Sequence, residues 1–219
     1  MTELLFIRHG ETDWNRQQRF QGQIDVPLNA VGEQQAARVA ARLAADPHDV
    51  LVASDLQRAR ETARAVGEPW RQVPLLHPGF REQHFGVLEG LDVPTIKAQY
   101  ADLWQRWLEH RGDFALPGGG ESLAQFHARV LAAVRELAAA HAGRRVAVVT
   151  HGGVLDMLWR TAHGLPIAGL RTCEIPNTGL NRLHWKGGAD GGTLVIETWG
   201  DAAHLADLPP QPPTNAGER

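Results

Sequence analysis

Cysteine is almost missing from this chain: Cys173 stands alone among 219 residues. A single thiol excludes an intrachain disulfide framework. Long apolar runs are missing too, and none approaches the roughly 20 residues that a membrane-crossing helix needs. A strong charge of one sign is lacking, the formal net charge being −3, so neither nucleic acid nor a membrane surface is expected as a partner. Metal-holding spacings such as CxxC or HExxH do not occur, nor does a GxxxxGK[ST] phosphate loop; no metal and no cofactor is expected. No basic segment or cleavable apolar stretch precedes the first strand, and the expected location is a reducing cytoplasm. The balance of 43% hydrophobic and 21% charged residues suits one ordinary globular domain.

What the chain does have is an alternation of buried strands and amphipathic helices. Leu4-Leu5-Phe6-Ile7, "DVLVAS" (49–54) and "RVAVVT" (145–150) are apolar without alternation, the pattern of strands covered on both faces. Asn29 predicts the cap of a helix carrying Ala36, Val39, Ala40 and Leu43 on one face, closed by Pro47. Ser54 with Gln57 and Ser122 with Gln125 match the S-x-x-Q capping box. The first box predicts a helix with Leu56, Ala59, Ala63 and Val66 aligned, ended by Gly67 and Pro69; the second predicts a long helix stopped by Gly143. A helix is expected around 94–110, another in "GGVLDMLWRTAHG", and two late strands near 179–186 and 193–199 joined by "GGADGG". The resulting class is α/β, a three-layer sandwich with a mostly parallel central sheet flanked by helices. One domain is expected over 1–208, with 79–120 as an irregular and helical insertion over the site. The Pro-rich 209–219 is expected to be a disordered tail.

Ligands of open α/β sheets collect outside the carboxyl ends of the strands. Three buried strands lead there into reactive side chains: Arg8 and His9, Arg58, and His151. With Ser54 as cap, Arg58 sits near the positive end of its helix, where a cation is disfavoured unless an anion joins it. Each residue alone has an ordinary reading, as a surface pair, a solvated helix face or a turn histidine. Together they make a cationic cup around His9, with Asn15 as an added amide donor, and the anion that arginine forks fit is a phosphoryl group.

"RHGETDWN" (8–15), "RFQGQIDVPLNAVGEQQA" (19–36), "SDLQRARETA" (54–63), "EQHFGVLEG" (82–90), "PGGGES" (117–122) and "THGGVL" (150–155) resemble, in this order, the motifs of the histidine phosphatase superfamily, the phosphoglycerate mutase-like family. The resemblance implies a phosphoglycerate mutase-like fold, with His9 as the nucleophile that becomes phosphorylated and Glu82 as the proton donor. It implies that Arg8, Asn15, Gln21, Gly22, Arg58, His151 and Gly152 hold the phosphate. The carbonyl of Gly10 is implied to fix the His9 tautomer. A neutral imidazole needs no metal to act as a nucleophile, whereas an alkoxide leaving group does need a proton. Phe80, Phe85 and Val87 are candidates to desolvate Glu82, and Glu89 is the other carboxylate of that loop.

The family's mutases carry an arginine and a tyrosine where this chain has Gln83 and Phe85, and Asn-Lys where it has Asp92-Val93. Losing such donors weakens the grip on a phosphoglycerate carboxylate. The expectation is therefore a metal-independent phosphatase acting on small phosphate monoesters through phosphohistidine. A phosphoglycerate mutase is the alternative, and a catalytically inactive phosphate-binding scaffold ranks below both, because all the matched residues are present. A homodimer is left open. Trp14, Phe85, Trp104 and Trp107 are candidates for a leaving-group wall.

Overall fold

The apolar run of the first strand is used on both sides. In the computed structural model, which describes residues 1–109, 111–188 and 191–212, Leu4 and Phe6 join one core cluster while Leu5 and Ile7 join another. All four are fully buried, each contributing about 1.5–3 kcal/mol relative to exposure.

The elements run β1 (Thr2–Arg8), α1 (Asp13–Arg16), α2 (Ala30–Leu43), β2 (Val50–Ala53), α3 (Gln57–Trp70), β3 (Leu75–Leu76), α4 (Val93–Gln99), α5 (Ala101–Leu108), α6 (Leu123–Ala140), β4 (Arg145–Thr150), α7 (Gly152–His163), β5 (Leu180–Gly188) and β6 (Gly191–Asp201). The sheet order is β3-β2-β4-β1-β5-β6. The first four strands of that order pair in parallel, and β5 turns antiparallel to β1 and to β6. Helices α6 and α7 cover one face and α2 and α3 the other, so the expected three-layer arrangement with a mostly parallel sheet is present. The carboxyl ends of β1, β2 and β4 lie side by side, with Arg8 opposite Thr150 and Ala53 opposite Val149.

Several local expectations hold and others need correction. Asn29 caps α2 through Gly32 N–H, and Ser122 with Gln125 closes a reciprocal capping box on α6. The Ser54 box does not form. The cap of α3 is Leu56, without a side-chain bond, because the Ser54 hydroxyl is engaged elsewhere. Gly67 and Pro69 lie inside α3, which ends instead at a left-handed Arg71 (φ 56°). Gly67 is needed for packing: a Cβ there would lie 2.3 Å from the Gln72 carbonyl oxygen and 2.9 Å from Leu51. The helix expected at 94–110 is two, α4 and α5, broken at Tyr100. Two short elements escaped the periodicity, the edge strand β3 and the single-turn α1.

Part of the "GGADGG" turn, residues 189–190, lies outside the described residues, as do 213–219 of the tail. The tail does not leave the fold at 209: the Gln211 side chain accepts from the Asn177 N–H and donates to the Asn177 carbonyl at 2.6 and 3.1 Å. Segment 79–120 builds a core of its own around Leu88, Ile96, Trp104 and Leu116, together with Phe20.

Candidate active site

Strand β1 ends by placing His9 against a carbonyl. His9 Nδ1 lies 2.6 Å from the Gly10 oxygen. A carbonyl can only accept, so Nδ1 carries the proton and Nε2 keeps its lone pair. The backbone around it is pinned on three sides: His9 N–H donates to Thr150 O (2.9 Å), Asn177 Nδ2 donates to His9 O (2.8 Å), and Gly10 N–H donates to Thr62 Oγ1 (3.0 Å). Gly10 itself must lack a side chain, since a Cβ would lie 2.6 Å from the Gly32 carbonyl oxygen of α2.

Arg8, Arg58 and His151 surround this imidazole, and each is held by part of its hydrogen-bonding capacity. Arg8 Nη1 donates to Ile175 O at 2.7 Å. Arg58, the second residue of α3, donates to Gly22 O (2.8 Å) and Ile24 O (3.0 Å). His151 Nε2 meets Ser54 Oγ at 2.8 Å. Arg8 Nε, Arg58 Nε and His151 Nδ1 are buried with no hydrogen-bond partner among the described residues. Three such donors on side chains around one imidazole are groups of the kind that an oxyanion pairs with. The Ser54 hydroxyl, which accepts from Leu56 N–H at 3.3 Å, has its own proton to give to His151 Nε2. That arrangement puts the imidazole hydrogen on Nδ1, the unpartnered atom.

The charge of the cup differs from the expectation in one respect. Burial, then Arg58 and Arg8, push His9 well below its ordinary pKa; burial, then Arg58, do the same to His151. Both imidazoles are therefore neutral near pH 7, and the positive charge comes from the arginines. His151 is a neutral N–H donor, not a cation. The sign for stability follows directly: the unfolded chain binds protons at these histidines near pH 6.5 and the folded one does not, so stability is present above that pH and lost as pH falls. Each histidine should remove about 1.4 kcal/mol per pH unit below ~6. His48, His127 and His204 are shifted in the same direction by burial and add to the effect. Melting temperatures between pH 7.5 and 5 in phosphate-free buffer should fall, less steeply in His9→Gln and His151→Gln; a flat profile in the wild type would contradict the neutral assignment.

Thr12 organises the polar rim. It caps α1 in a reciprocal box with Asn15, and its hydroxyl lies 3.1 Å from Asn15 Oδ1 and 3.0 Å from Gln21 Oε1. With both amide oxygens turned toward Thr12, the NH2 groups of Asn15 and Gln21 remain as donors. Both residues line a cavity of about 220 Å³ together with Arg8, His9, Gly22, Arg58, Glu82 and Gly152. Gly22 is left-handed (φ 51°), and a Cβ there would collide with the Glu89 carboxylate. Glu89 is thereby tied to the loop, accepting from Gln23 N–H and Phe85 N–H at 2.9 Å each.

Glu82 reaches the cavity from the opposite side. Its Oε1 accepts from Gln83 N–H (2.9 Å) and its Oε2 from Gly153 N–H at the start of α7 (3.0 Å). Gly153 has to be glycine for this approach, because a Cβ would lie 2.1 Å from Glu82 Oε1. Arg129 on α6 secures the same loop, donating to the carbonyls of Gly79, Arg81 and Glu82 and to the Glu121 carboxylate. Of the aromatic candidates, Phe85 and Trp107 line the cavity. Trp104 is buried in the core of the insertion, and Trp14 packs near Gly90. The sequence reading missed Ser54, Thr62, Gly153, Asn177 and Arg129 as supports. Four of the five lie in or beside the quoted motifs or the α6 pattern, but their partners are distant in sequence.

No group of three or more His, Cys, Asp or Glu side chains that could hold a metal ion occurs among the described residues, and no helix there is long and apolar enough to cross a membrane. The family model of the histidine phosphatase superfamily (branch 1) matches residues 4–201. The chain belongs to that superfamily. It is 36% identical over 207 residues to "Phosphoglycerate mutase-like protein 4" of Arabidopsis thaliana, an alignment covering 94% of this chain and 87% of the relative. It is 34% identical over 210 residues to the "Metal-independent phosphoserine phosphatase" of the same plant, covering 95% and 85%. Among solved structures, a mycobacterial glucosyl-3-phosphoglycerate phosphatase superposes with a TM-score of 0.79 at 30% identity, covering 90% of this chain and 98% of that one.

Proposed function

We propose that this protein hydrolyses small phosphate monoesters through a phosphohistidine on His9. The observation that carries the reading is the His9 Nδ1–Gly10 contact of 2.6 Å, which leaves Nε2 as a lone-pair nucleophile beside three orphaned donors. In the first step Nε2 forms a bond to phosphorus, the bond from phosphorus to the ester oxygen breaks, and Glu82 gives its proton to that oxygen. Arg8, Arg58 and His151 take up the charge on the equatorial oxygens, with the amides of Asn15 and Gln21 and the N–H groups of Gly22 and Gly152 at the rim. In the second step water attacks phosphorus, its proton passes to Glu82, and the P–N bond breaks. Neutral His9 is competent well below pH 7, so nothing further is needed to activate it. The cytoplasm, where small phosphate esters are made, is the location that fits this activity.

The mutase reading draws on the names of several relatives, "Phosphoglycerate mutase-like protein 4" and bacterial proteins called "Probable phosphoglycerate mutase GpmB", but Gln83 and Phe85 stand where the family resemblance places the mutases' carboxylate donors. A panel of monoesters including phosphoserine and 3-phosphoglycerate, assayed for phosphate release and for isomer interconversion, tests both. Hydrolysis should exceed interconversion, survive excess chelator and be inhibited by vanadate. Loss of activity in chelator with recovery on adding Mg²⁺ or Zn²⁺ would overturn the metal-independent reading.

A further inference from the structure

Beyond the phosphate cup, the cavity wall holds a second set of charges that the mechanism above does not use. Arg160 on α7 is buried, 4% exposed, and spends all five of its donors. Its Nε binds Asp156 Oδ2 at 3.0 Å; Nη1 binds the carbonyls of Pro166 and Ala168, and Nη2 those of Gly169 and Leu170, at 2.7–3.1 Å. One guanidinium thus gathers four carbonyls from the five residues 166–170. Here the loop after α7 is tied down, and it ends by delivering Arg171 to the cavity.

Arg171 stands beside Arg8 at the start of α7. The guanidinium atoms of Arg8 and Arg171 both come within 4 Å of the point where a Gly152 Cβ would stand, at 3.6 Å for Arg8 Nε and 3.8 Å for Arg171 Nη1. Two guanidinium groups on one edge of a cavity gain from an anion placed with them, and Arg171 is, after burial, the main influence lowering the Arg8 pKa to about 10. Arg8 is already assigned to the phosphoryl group. Asp156, 8% exposed, has its Oδ1 3.9 Å from Arg171 Nε. A carboxylate already beside Arg171 makes the site suited to a monoanion better than to a second phosphate.

We propose that Arg171 is a specificity-determining residue that binds a carboxylate on the leaving group of the substrate, and that the Asp156–Arg160 pair positions it. The closeness of Arg8 and Arg171 at Gly152 sets the spacing: phosphate and carboxylate belong to one small molecule, separated by a few atoms. The apolar side chains of Phe85, Trp107 and Met157 along the same cavity cover the carbon chain between them. This inference rests on the phosphatase reading and narrows it to carboxylate-bearing monoesters.

The test uses matched pairs that differ in the carboxylate: phosphoserine against phosphoethanolamine, and 3-phosphoglycerate against glycerol 3-phosphate, with p-nitrophenyl phosphate beside them. In the wild type, kcat/KM should favour the carboxylated member of each pair by at least tenfold. Arg171→Ala should cut kcat/KM for the carboxylated member by about 10- to 100-fold more than for its partner, the scale of one charge-assisted hydrogen-bonded contact, with Arg171→Lys in between. Arg160→Lys, which keeps the charge and loses the five-donor fork, should lower the same preference. Equal losses for both members of a pair in Arg171→Ala, or no preference in the wild type, would overturn the assignment while p-nitrophenyl phosphate turnover keeps the phosphatase reading intact. An unchanged preference in Arg160→Lys would overturn its positioning role. Absence of phosphate release from every ester would instead be a failure of the phosphatase reading itself.

Discussion

His9→Ala should release phosphate from any monoester at less than about 10⁻⁴ of the wild-type rate, because the covalent route is lost and no other group lies in position to replace it. The fold should survive. Among the described residues the imidazole hydrogen-bonds only to the adjacent carbonyl, whereas the strand is held by its backbone ladder to β4 and by the Asn177 and Thr62 contacts. Circular dichroism and a melting temperature within a few degrees of wild type would establish that. Rapid quench of the wild type with a labelled ester should trap an acid-labile, alkali-stable phosphate on residue 9. The nearby ring of His151, with its centroid 5.1 Å from that of His9, is the internal control. Its Nε2 is occupied by Ser54, so label on His151 with His9 unmodified would reverse the assignment of nucleophile and supporting donor.

How much of this was legible in the chain depends on the distance over which each interaction acts. The three central strands were readable because burial on both faces leaves a local mark, an apolar run without alternation. The strand-end placement of Arg8, His9 and His151 followed from those runs. The S-x-x-Q pattern worked at Ser122 and failed at Ser54 for a physical reason. Both serines can cap, but Ser54 lies beside a histidine 97 residues away that competes for its hydroxyl. Gly153 looked like an ordinary turn glycine, and only the approach of Glu82 from residue 82 explains why it has no side chain. A sequence likewise reveals the basic residues around His151 but not the burial that keeps its imidazole neutral beside Arg8 and Arg58. The Arg160 fork and its four carbonyls lie within residues 160–170, yet nothing in "RTAHGLPIAGLR" marks it, since carbonyls carry no residue identity.

Glu82→Gln should separate substrates by how badly the departing oxygen needs a proton. An alkoxide of serine, glycerate or glycerol leaves poorly without one, and removal of a general acid should cost roughly 10²- to 10⁴-fold with such esters. Nitrophenolate departs unaided, so p-nitrophenyl phosphate should lose far less. Glutamine suits the test because its amide oxygen still accepts from one of the two N–H groups that hold Glu82, those of Gln83 and Gly153. The other N–H then faces an NH2 group, a strain that is the same for every substrate and cancels in the ratio. Turnover alone is ambiguous, since Glu82 also takes the proton of water in the second step and would slow both esters equally if dephosphorylation limits. Single-turnover formation of phospho-His9 isolates the first step. If that step slows equally for alkyl and nitrophenyl esters, Glu82 is not the acid. Glu89 is then the remaining carboxylate of the loop, but both its contacts to Gln23 and Phe85 N–H groups run through one oxygen, Oε1, and Glu89→Gln in the same assay would decide whether the other one delivers the proton.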